Sequence, residues 1–534
     1  MGDFKKFNRN DRPMKGKFSS NSGGFKDFSR RPQRPERRRM ASVIDLKGGD
    51  YFSGIVKIMH KAVPGPVVFI VSDGYGSIEA VTKDSNFEAG TVVQLEGEVS
   101  ERADKLQIEI DRMTKTNESD FNSIIEENSK PIAREFSIKS ERYNKLKPYF
   151  YKVAERLRKA VLENQSILIR HHADADGIIA GLCIEQSCRQ LMEKIGVNPD
   201  YNLYRSPSKA PFYEISDVFR DAVLTKRIIE SHGQKKPLVI VLDNGSTPED
   251  VLGVKTMNSL GFEVVVVDHH NPVYIENKKT AVDDFVSIHL NPYIEGLDSQ
   301  TCAGMLAYEV ARLVFEEYDN PILPAVAGIT DHCLIPETEE YIKNSKKSRP
   351  ELEKIGMTID FIAYNLKFDA GKGLYEQAFV NENFVNIISE EVKKGFETQL
   401  QSTLPYLRTQ DIGGVIFSSI DLEKYTIRFK YPAPGKVLSA IHDVVAIEKE
   451  APYITLGCMM DMIILRATKP VLPVAKIIKR LKKDLPNANV DGGGHECAGA
   501  IKFVSAHFTD VLENIKQQVK ELNYLETSQK GEDE

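Results

Sequence analysis

Residues 166–177 read Ser166-Ile167-Leu168-Ile169-Arg170-His171-His172-Ala173-Asp174-Ala175-Asp176-Gly177. A short apolar run that ends in a polar turn and passes into a helical pattern, here over about 177–195, opens a β-α-β unit. Two more apolar runs, Pro237–Leu242 and Phe262–Val267, extend it with a helical pattern between them, and residues 301–334 add two helices. Alternation of this kind builds an α/β fold, a mainly parallel sheet with helices on both faces.

The polar turns carry the chemistry. In an extended segment residues i, i+2 and i+4 point the same way, so His172, Asp174 and Asp176 are expected to converge at the carboxyl end of the first strand, where open α/β sheets bind ligands. Leu242-Asp243-Asn244-Gly245-Ser246 closes the second strand and Val267-Asp268-His269-His270-Asn271-Pro272 the third. A fourth cluster, Gly328-Ile329-Thr330-Asp331-His332, lies in an apolar helical pattern. One Asp after a strand is ordinarily a helix cap. Four such clusters within about 165 residues need another reason. Gathered carboxylates repel one another unless cations neutralise them. Carboxylate and imidazole ligands suit Mn²⁺ or Mg²⁺, and two such ions roughly 3.5–4 Å apart activate water and steady a phosphoryl transition state.

Outward from this unit the composition changes. Residues 1–40 carry 13 Lys/Arg against 4 Asp/Glu, a net of +9, while the whole chain is −6. With Phe4, Phe7, Phe18, Phe25 and Phe28 spread through it, the segment 1–41 reads as a disordered basic arm, its charges suited to phosphates and its rings to bases; a solubilising tail is the plainer alternative. Residues 42–115 hold five β-type runs, at 51–60, 65–72, 76–82, 90–100 and 104–113, separated by turn residues. Short, evenly spaced strands suggest a small OB-like barrel, of the kind that binds single strands by stacking, or one used for protein contact. Residues 116–165 read as a helical linker with nine Lys/Arg against three Glu over 131–160. Arg205-Ser206-Pro207-Ser208-Lys209-Ala210-Pro211 reads as a basic turn that either meets a nucleic-acid backbone or is an ordinary exposed loop.

Towards the C-terminus, 346–404 is a charged helical connector and 405–525 a second, smaller α/β unit. Its expected strands are 411–418, 423–430, 452–458 and 461–467, with helices near 435–446 and 473–484 and an amphipathic helix over 507–522; residues 526–534 read as a frayed tail. The six cysteines form no CxxC pair or finger spacing and read as buried, reduced thiols of a cytoplasmic protein. No apolar run approaches the roughly 20 residues of a membrane helix, and the basic N-terminus is not a secretory signal, so no membrane role is expected.

On these motifs the chain resembles the DHH phosphoesterase superfamily, and within it the archaeal RecJ-like single-strand exonucleases, over 166–334 and 405–522. Asp268-His269-His270 matches the motif that gives the family its name, Asp174 and Asp176 its first motif, Asp243 its second and Asp331 its fourth. Gly492-Gly493-Gly494-His495 and Arg466 match the associated DHHA1 domain. The resemblance implies a DHH domain over 166–345 and a DHHA1 domain over 405–525, with two Mn²⁺ or Mg²⁺ ions. It implies that Asp243 bridges them, that His172 and Asp174 hold one, and that Asp176, His269 and Asp331 hold the other. His270 would contact the scissile phosphate and Asp268 would orient the imidazoles. Arg466 and His495 would grip a substrate phosphate, with an anion nest from the glycine amides, including Gly493 and Gly494. One departure stands out: Arg170 occupies the position where several relatives carry the first-motif histidine, so His172 is taken as the substitute, with His171 as the alternative.

The expected activity is therefore metal-dependent exonucleolytic hydrolysis of single-stranded DNA or RNA, in replication and repair or in RNA turnover. A small-substrate phosphatase acting on pAp, very short RNA or a cyclic dinucleotide is the first alternative, and a replisome scaffold of weak catalysis the second. Single-stranded nucleic acid is the expected partner. A replication or repair protein and a second copy of the chain stay open, as do polarity and sugar preference.

Overall fold

The computed structural model describes residues 39–62, 65–102, 105–208, 210–232, 235–367, 369–447, 451–494 and 496–530. The arm over 1–38, Lys209, His495 and the tail from 531 lie outside the described residues.

Five strands form the N-terminal barrel: β1 Tyr51–Ala62, β2 Val67–Ser72, β3 Ser77–Thr82, β4 Val92–Arg102 and β5 Lys105–Lys115. Their order is β1-β2-β3-β5-β4, and the pairing of Tyr51–Lys57 with Val92–Glu98 closes the ring. Alternate residues such as Phe52, Val56, Phe69, Val71, Val93, Leu95 and Ile108 fill it. The order and the enclosed core are those of an OB-like barrel. It is fastened to the next unit: the Ser77 amide donates to Ile195 O at 2.7 Å, and Asn128 Nδ2 donates to Gly74 O at 3.0 Å.

The central sheet contains β6 Ile167–His171, β7 Leu203–Pro207, β8 Leu238–Leu242, β9 Glu263–Val267 and β10 Ile288–Leu290. All pairings are parallel, in the order β10-β9-β8-β6-β7. Both faces are covered, which is why the strands read as continuous apolar runs rather than alternating ones. Ile167, Ile169, Leu238 and Ile240 pack with the helices Glu141–Leu162, Ala175–Lys194 and Ala303–Val314. Leu168, Val239, Val241, Val264 and Val266 pack on the other face with Val254 and Met257. The strand order reverses between β6 and β8, and that switch point opens a crevice at their carboxyl ends.

The expected basic turn at 205–211 is instead led by an edge strand. Leu203–Pro207 is β7, and Arg205 is buried in an ion pair with Glu185 at 2.6 Å, so its charge serves the interior.

The helices Pro336–Ser345, Arg349–Leu366 and Glu382–Thr403 lead to the C-terminal sheet. Its strands are β11 Arg408–Ile412, β12 Val415–Asp421, β13 Tyr453–Cys458, β14 Met462–Ala467, β15 Asp491–Gly494 and β16 Ala498–Lys502, in the order β11-β12-β13-β14-β16-β15. The expected strand over 423–430 is absent: Asp421 caps a short helix, Leu422–Tyr425, by accepting from the Lys424 amide at 2.9 Å, and turns follow. Among the described residues no helix is long and apolar enough to cross a membrane.

Candidate metal centre

The backbone ladder of the central sheet runs on into the polar turns. The amide of His172 donates to Leu242 O at 3.3 Å, that of Asp243 to Val267 O at 3.0 Å, and that of Asp268 to Leu290 O at 3.0 Å. Three motifs distant in sequence are therefore held in register at the switch point.

Asp243 is the centre of the group. It is 1% exposed and adopts φ 57°, a left-handed conformation that costs a non-glycine residue energy and marks functional turns. Its Oδ2 lies 3.4 Å from His172 Nδ1, and its Oδ1 lies 3.2 Å from His269 Nε2 and 3.9 Å from His270 Nδ1. Its two oxygens thus face two separate groups of donors. His172 Nδ1 also meets Asp174 Oδ2 at 2.9 Å, and His269 Nε2 meets Asp176 Oδ2 at 3.9 Å.

Strand parity does not produce this arrangement. The strand ends at His171, Asp174 caps the helix Ala175–Lys194 by accepting from the Gly177 amide at 3.0 Å, and Asp176 sits in the first helical turn. The expected common face becomes two sides of Asp243, with His172 and Asp174 on one and Asp176 on the other. Gly177 allows the close approach, because a Cβ there would come within 2.5 Å of His172 O and 2.9 Å of Asp243 Oδ2. Asp176 is pinned by the N-terminus of another helix, its oxygens accepting from the Ala303 and Gly304 amides at 2.9 Å each.

The two first-motif histidines differ in burial and in what they face. His171 is fully buried beside Arg205, its Nδ1 is bonded to His172 O at 2.6 Å, and burial lowers its pKa to about 3. His172 faces Asp243. Arg170 turns away from the group into an ion pair with Asp221 and donates to Pro207 O at 2.7 Å.

The other imidazoles are aimed by hydrogen bonds. His269 Nδ1 lies 2.7 Å from Ser299 O, so it carries a proton there and the ring is aimed with Nε2 towards Asp243 and Asp176. His270 Nδ1 lies 2.7 Å from Asp268 Oδ1. Asp268, fully buried, also accepts from the amides of Ser246, His269 and His270 at 3.1, 2.8 and 3.2 Å. So many donors occupy its oxygens and orient the histidines; they leave little lone-pair capacity for a metal.

Asp331 stands at the edge, where it ends the helix Ile322–Thr330. Its Oδ2 is 3.7 Å from His269 Nδ1 and 3.6 Å from Cys333 Sγ, and Cys302 belongs to the same group.

Among the described residues, no lysine or arginine forms an ion pair with Asp174, Asp176, Asp243 or Asp331. The consequence is electrostatic. Burial, together with the charges of Asp243 and Asp331, holds the Asp176 carboxyl well above its usual range. Burial and the carboxylates of Asp243 and Asp174 raise Asp331 to about 6, against the pull of His269. Burial opposes charge on His172 and His269, but the adjacent carboxylates outweigh it and raise both. Crowded anions kept apart by shared protons are the state that divalent cations relieve, and the donor set of carboxylate oxygens and imidazole nitrogens fits Mn²⁺ or Mg²⁺.

Two residues that the sequence motifs did not single out join this region to the C-terminal half. Asp360 accepts from the Ala175 amide at 3.1 Å and forms an ion pair with Lys436, whose charge also acts on Asp174. The charge of Arg466 opposes that of Lys436; the arginine's Nε donates to Ser439 Oγ at 2.9 Å and its Nη1 to Leu465 O at 2.8 Å. The glycines of the expected anion nest form the edge strand β15, with Gly493 paired to Ala500 and Gly494 to Gly499, a flatter arrangement than a nest. Gly493 faces Phe212.

A family model described as the DHH family, N-terminal domain, matches residues 166–334. An uncharacterized protein of Methanocaldococcus jannaschii is 34% identical over 532 residues, 89% of this chain and 69% of the relative. Among solved structures, the DHH domain of a member of a ribosomal-protein family superposes with a TM-score of 0.72 at 35% identity, covering 75% of this chain and 97% of that one. RecJ from Thermus thermophilus, solved in complex with Mn²⁺, gives a TM-score of 0.48 at 16% identity over 73% of this chain and 56% of its own.

Proposed function

This chain belongs to the DHH phosphoesterase superfamily, and we propose that it is a metal-dependent exonuclease that hydrolyses phosphodiester bonds in single-stranded DNA or RNA. One observation carries the reading: the two carboxylate oxygens of buried Asp243 face two distinct donor groups with no ion-paired lysine or arginine between them. Asp243 would be the ligand shared by two ions, with His172 and Asp174 holding one and Asp176, His269 and Asp331 holding the other. Bound there, two Mn²⁺ or Mg²⁺ ions would supply an activated water and neutralise charge on the phosphate.

The chain's own residues do the rest. Asp268 fixes the His270 ring by accepting from Nδ1–H and favours its protonated form, so that Nε2–H is left to donate to a non-bridging phosphate oxygen. Arg466, carried on β14, holds a neighbouring phosphate from the C-terminal half, and His495 is assigned with it. Gly493 and Gly494 provide a strand edge on which a strand's backbone can lie. The OB-like barrel and the basic arm account for a polymer rather than a small substrate, since tracking a strand needs stacking surface and cationic contacts.

The test is hydrolysis of end-labelled single strands of graded length, from dinucleotide upward, with Mn²⁺ or Mg²⁺. Stepwise shortening of long strands that stops with a chelator is the expected outcome. Cleavage confined to dinucleotides or other small phosphoesters would replace this reading with that of a small-substrate phosphatase.

A further inference from the structure

Behind the metal-facing side of Asp331 lies a second donor group of different chemistry. Ligand atoms of Cys302, Asp331 and Cys333 lie within 4.8 Å of one another, with both cysteines buried. The fold holds them firmly. His332 adopts φ 53°, a left-handed turn that brings Asp331 and Cys333 to the same side. The Cys333 amide donates to Gly328 O at 2.9 Å, and its carbonyl accepts from Thr338 Oγ1 at 2.8 Å. Cys333 Sγ lies 3.6 Å from Asp331 Oδ2. Cys302 directly precedes Ala303 and Gly304, the residues whose amides hold Asp176.

Two thiols and a carboxylate form a ligand set that the hard-ion chemistry of the neighbouring centre does not use. Thiolates select soft or borderline ions, of which zinc is bound at about 2.3 Å from sulfur. We propose that Cys302, Cys333 and Asp331 form a separate site for a thiophilic divalent cation, Zn²⁺ or Cd²⁺, and that its occupancy withdraws Asp331 from the catalytic metals and stops hydrolysis. Two Sγ–metal bonds form and two thiol protons pass to solvent, with no change of oxidation state. Binding at this site stands on the cysteine geometry alone; the inhibitory consequence rests on the proposed role of Asp331 as a catalytic metal ligand.

The experiment is a Cd²⁺ titration of the full-length reduced protein, with excess Mn²⁺ present, followed by sulfur-to-cadmium charge-transfer absorption and, in parallel, by strand hydrolysis. One equivalent should give a two-thiolate band and abolish activity. Cys302→Ser and Cys333→Ser should each lose the band, keep Mn²⁺-dependent hydrolysis and resist Cd²⁺; if the fully buried Cys302 variant does not fold, Cys333→Ser alone decides the point. No band, or a band that survives both substitutions, overturns the site. A band without inhibition overturns the sharing of Asp331. A band in a protein that hydrolyses no strand with Mn²⁺ leaves the site standing and overturns the proposed function instead.

Discussion

At the scale of single residues, Asp243 does the most with the least freedom. Its left-handed backbone suits Asn far better than Ala, so Asp243→Asn removes the charge while keeping the turn. Hydrolysis should fall by several orders of magnitude with the fold intact; near-normal turnover by this variant would remove Asp243 from the bridging position. The same crowding predicts an unusual pH dependence in the metal-free protein. Asp176, Asp331, His172 and His269 all have folded pKa values above their ordinary ones, so folding takes up protons at each. The stability they lend is present at low pH and is lost as pH rises through the folded values, of which Asp331's is about 6. Melting of metal-free protein should therefore drop between about pH 6.5 and pH 8, above the range in which buried, neutral His171 acts in the opposite direction, and added Mn²⁺ should restore more at the higher pH. A metal-free melting temperature that rises over that interval would contradict this electrostatic picture. Nearly all of these residues were legible in the sequence, because acidic turns after apolar strands leave a local signature. Lys436 and Asp360 were not: each is a single charged residue within a helix, with no motif around it, and only the tertiary packing brings them to the first motif.

At the scale of elements, the turn from β6 into the helix Ala175–Lys194 decides the geometry. Sequence parity treated His172, Asp174 and Asp176 as one strand face. The observed break at Asp174 instead distributes them around Asp243, and period-2 reasoning fails wherever a helix begins inside the motif. Gly177→Ala tests the turn. Its Cβ would collide with the His172 carbonyl, which is backbone and cannot simply rotate aside. Weaker Mn²⁺ binding together with lower stability is the expected result in calorimetry and thermal melting, and wild-type values for both would show that the turn tolerates a side chain. In the C-terminal sheet, the short, glycine-rich strands β15 and β16 carry little hydrophobic alternation, so 492–495 reads as a motif and 498–502 gives no strand signal. The run 423–430 contained β-type residues, yet the Asp421 cap diverted it into a helix. Arg466 belongs to this element. Loss of a charge-assisted phosphate contact costs about 1.5–3 kcal/mol, roughly 10- to 150-fold in catalytic efficiency. Arg466→Ala should lose activity on that scale, on short strands as well as long ones, with metal binding unchanged; lost metal binding or unchanged kinetics would count against its place at the substrate.

At the scale of the whole molecule, the parallel sheet and the barrel were readable because each has a strong period: continuous apolar strands buried on both faces in one, short alternating strands in the other. How the units meet was not, since contacts such as Ser77 to Ile195 are backbone hydrogen bonds that carry no residue signature. Removing residues 1–115 should weaken binding to long strands and flatten its salt dependence, because fewer cations are then released on binding. Equal affinity and an equal salt slope after truncation would assign the barrel another purpose. The central claim, that the motifs of the switch point form a two-ion centre bridged by Asp243, is tested most directly by titration calorimetry of Mn²⁺ into wild-type protein and Asp243→Asn at neutral pH. The account predicts two ions per chain in the wild type and at most one, more weakly held, in the variant. Two ions bound with unchanged affinity in Asp243→Asn, or no more than one in the wild type, would contradict it.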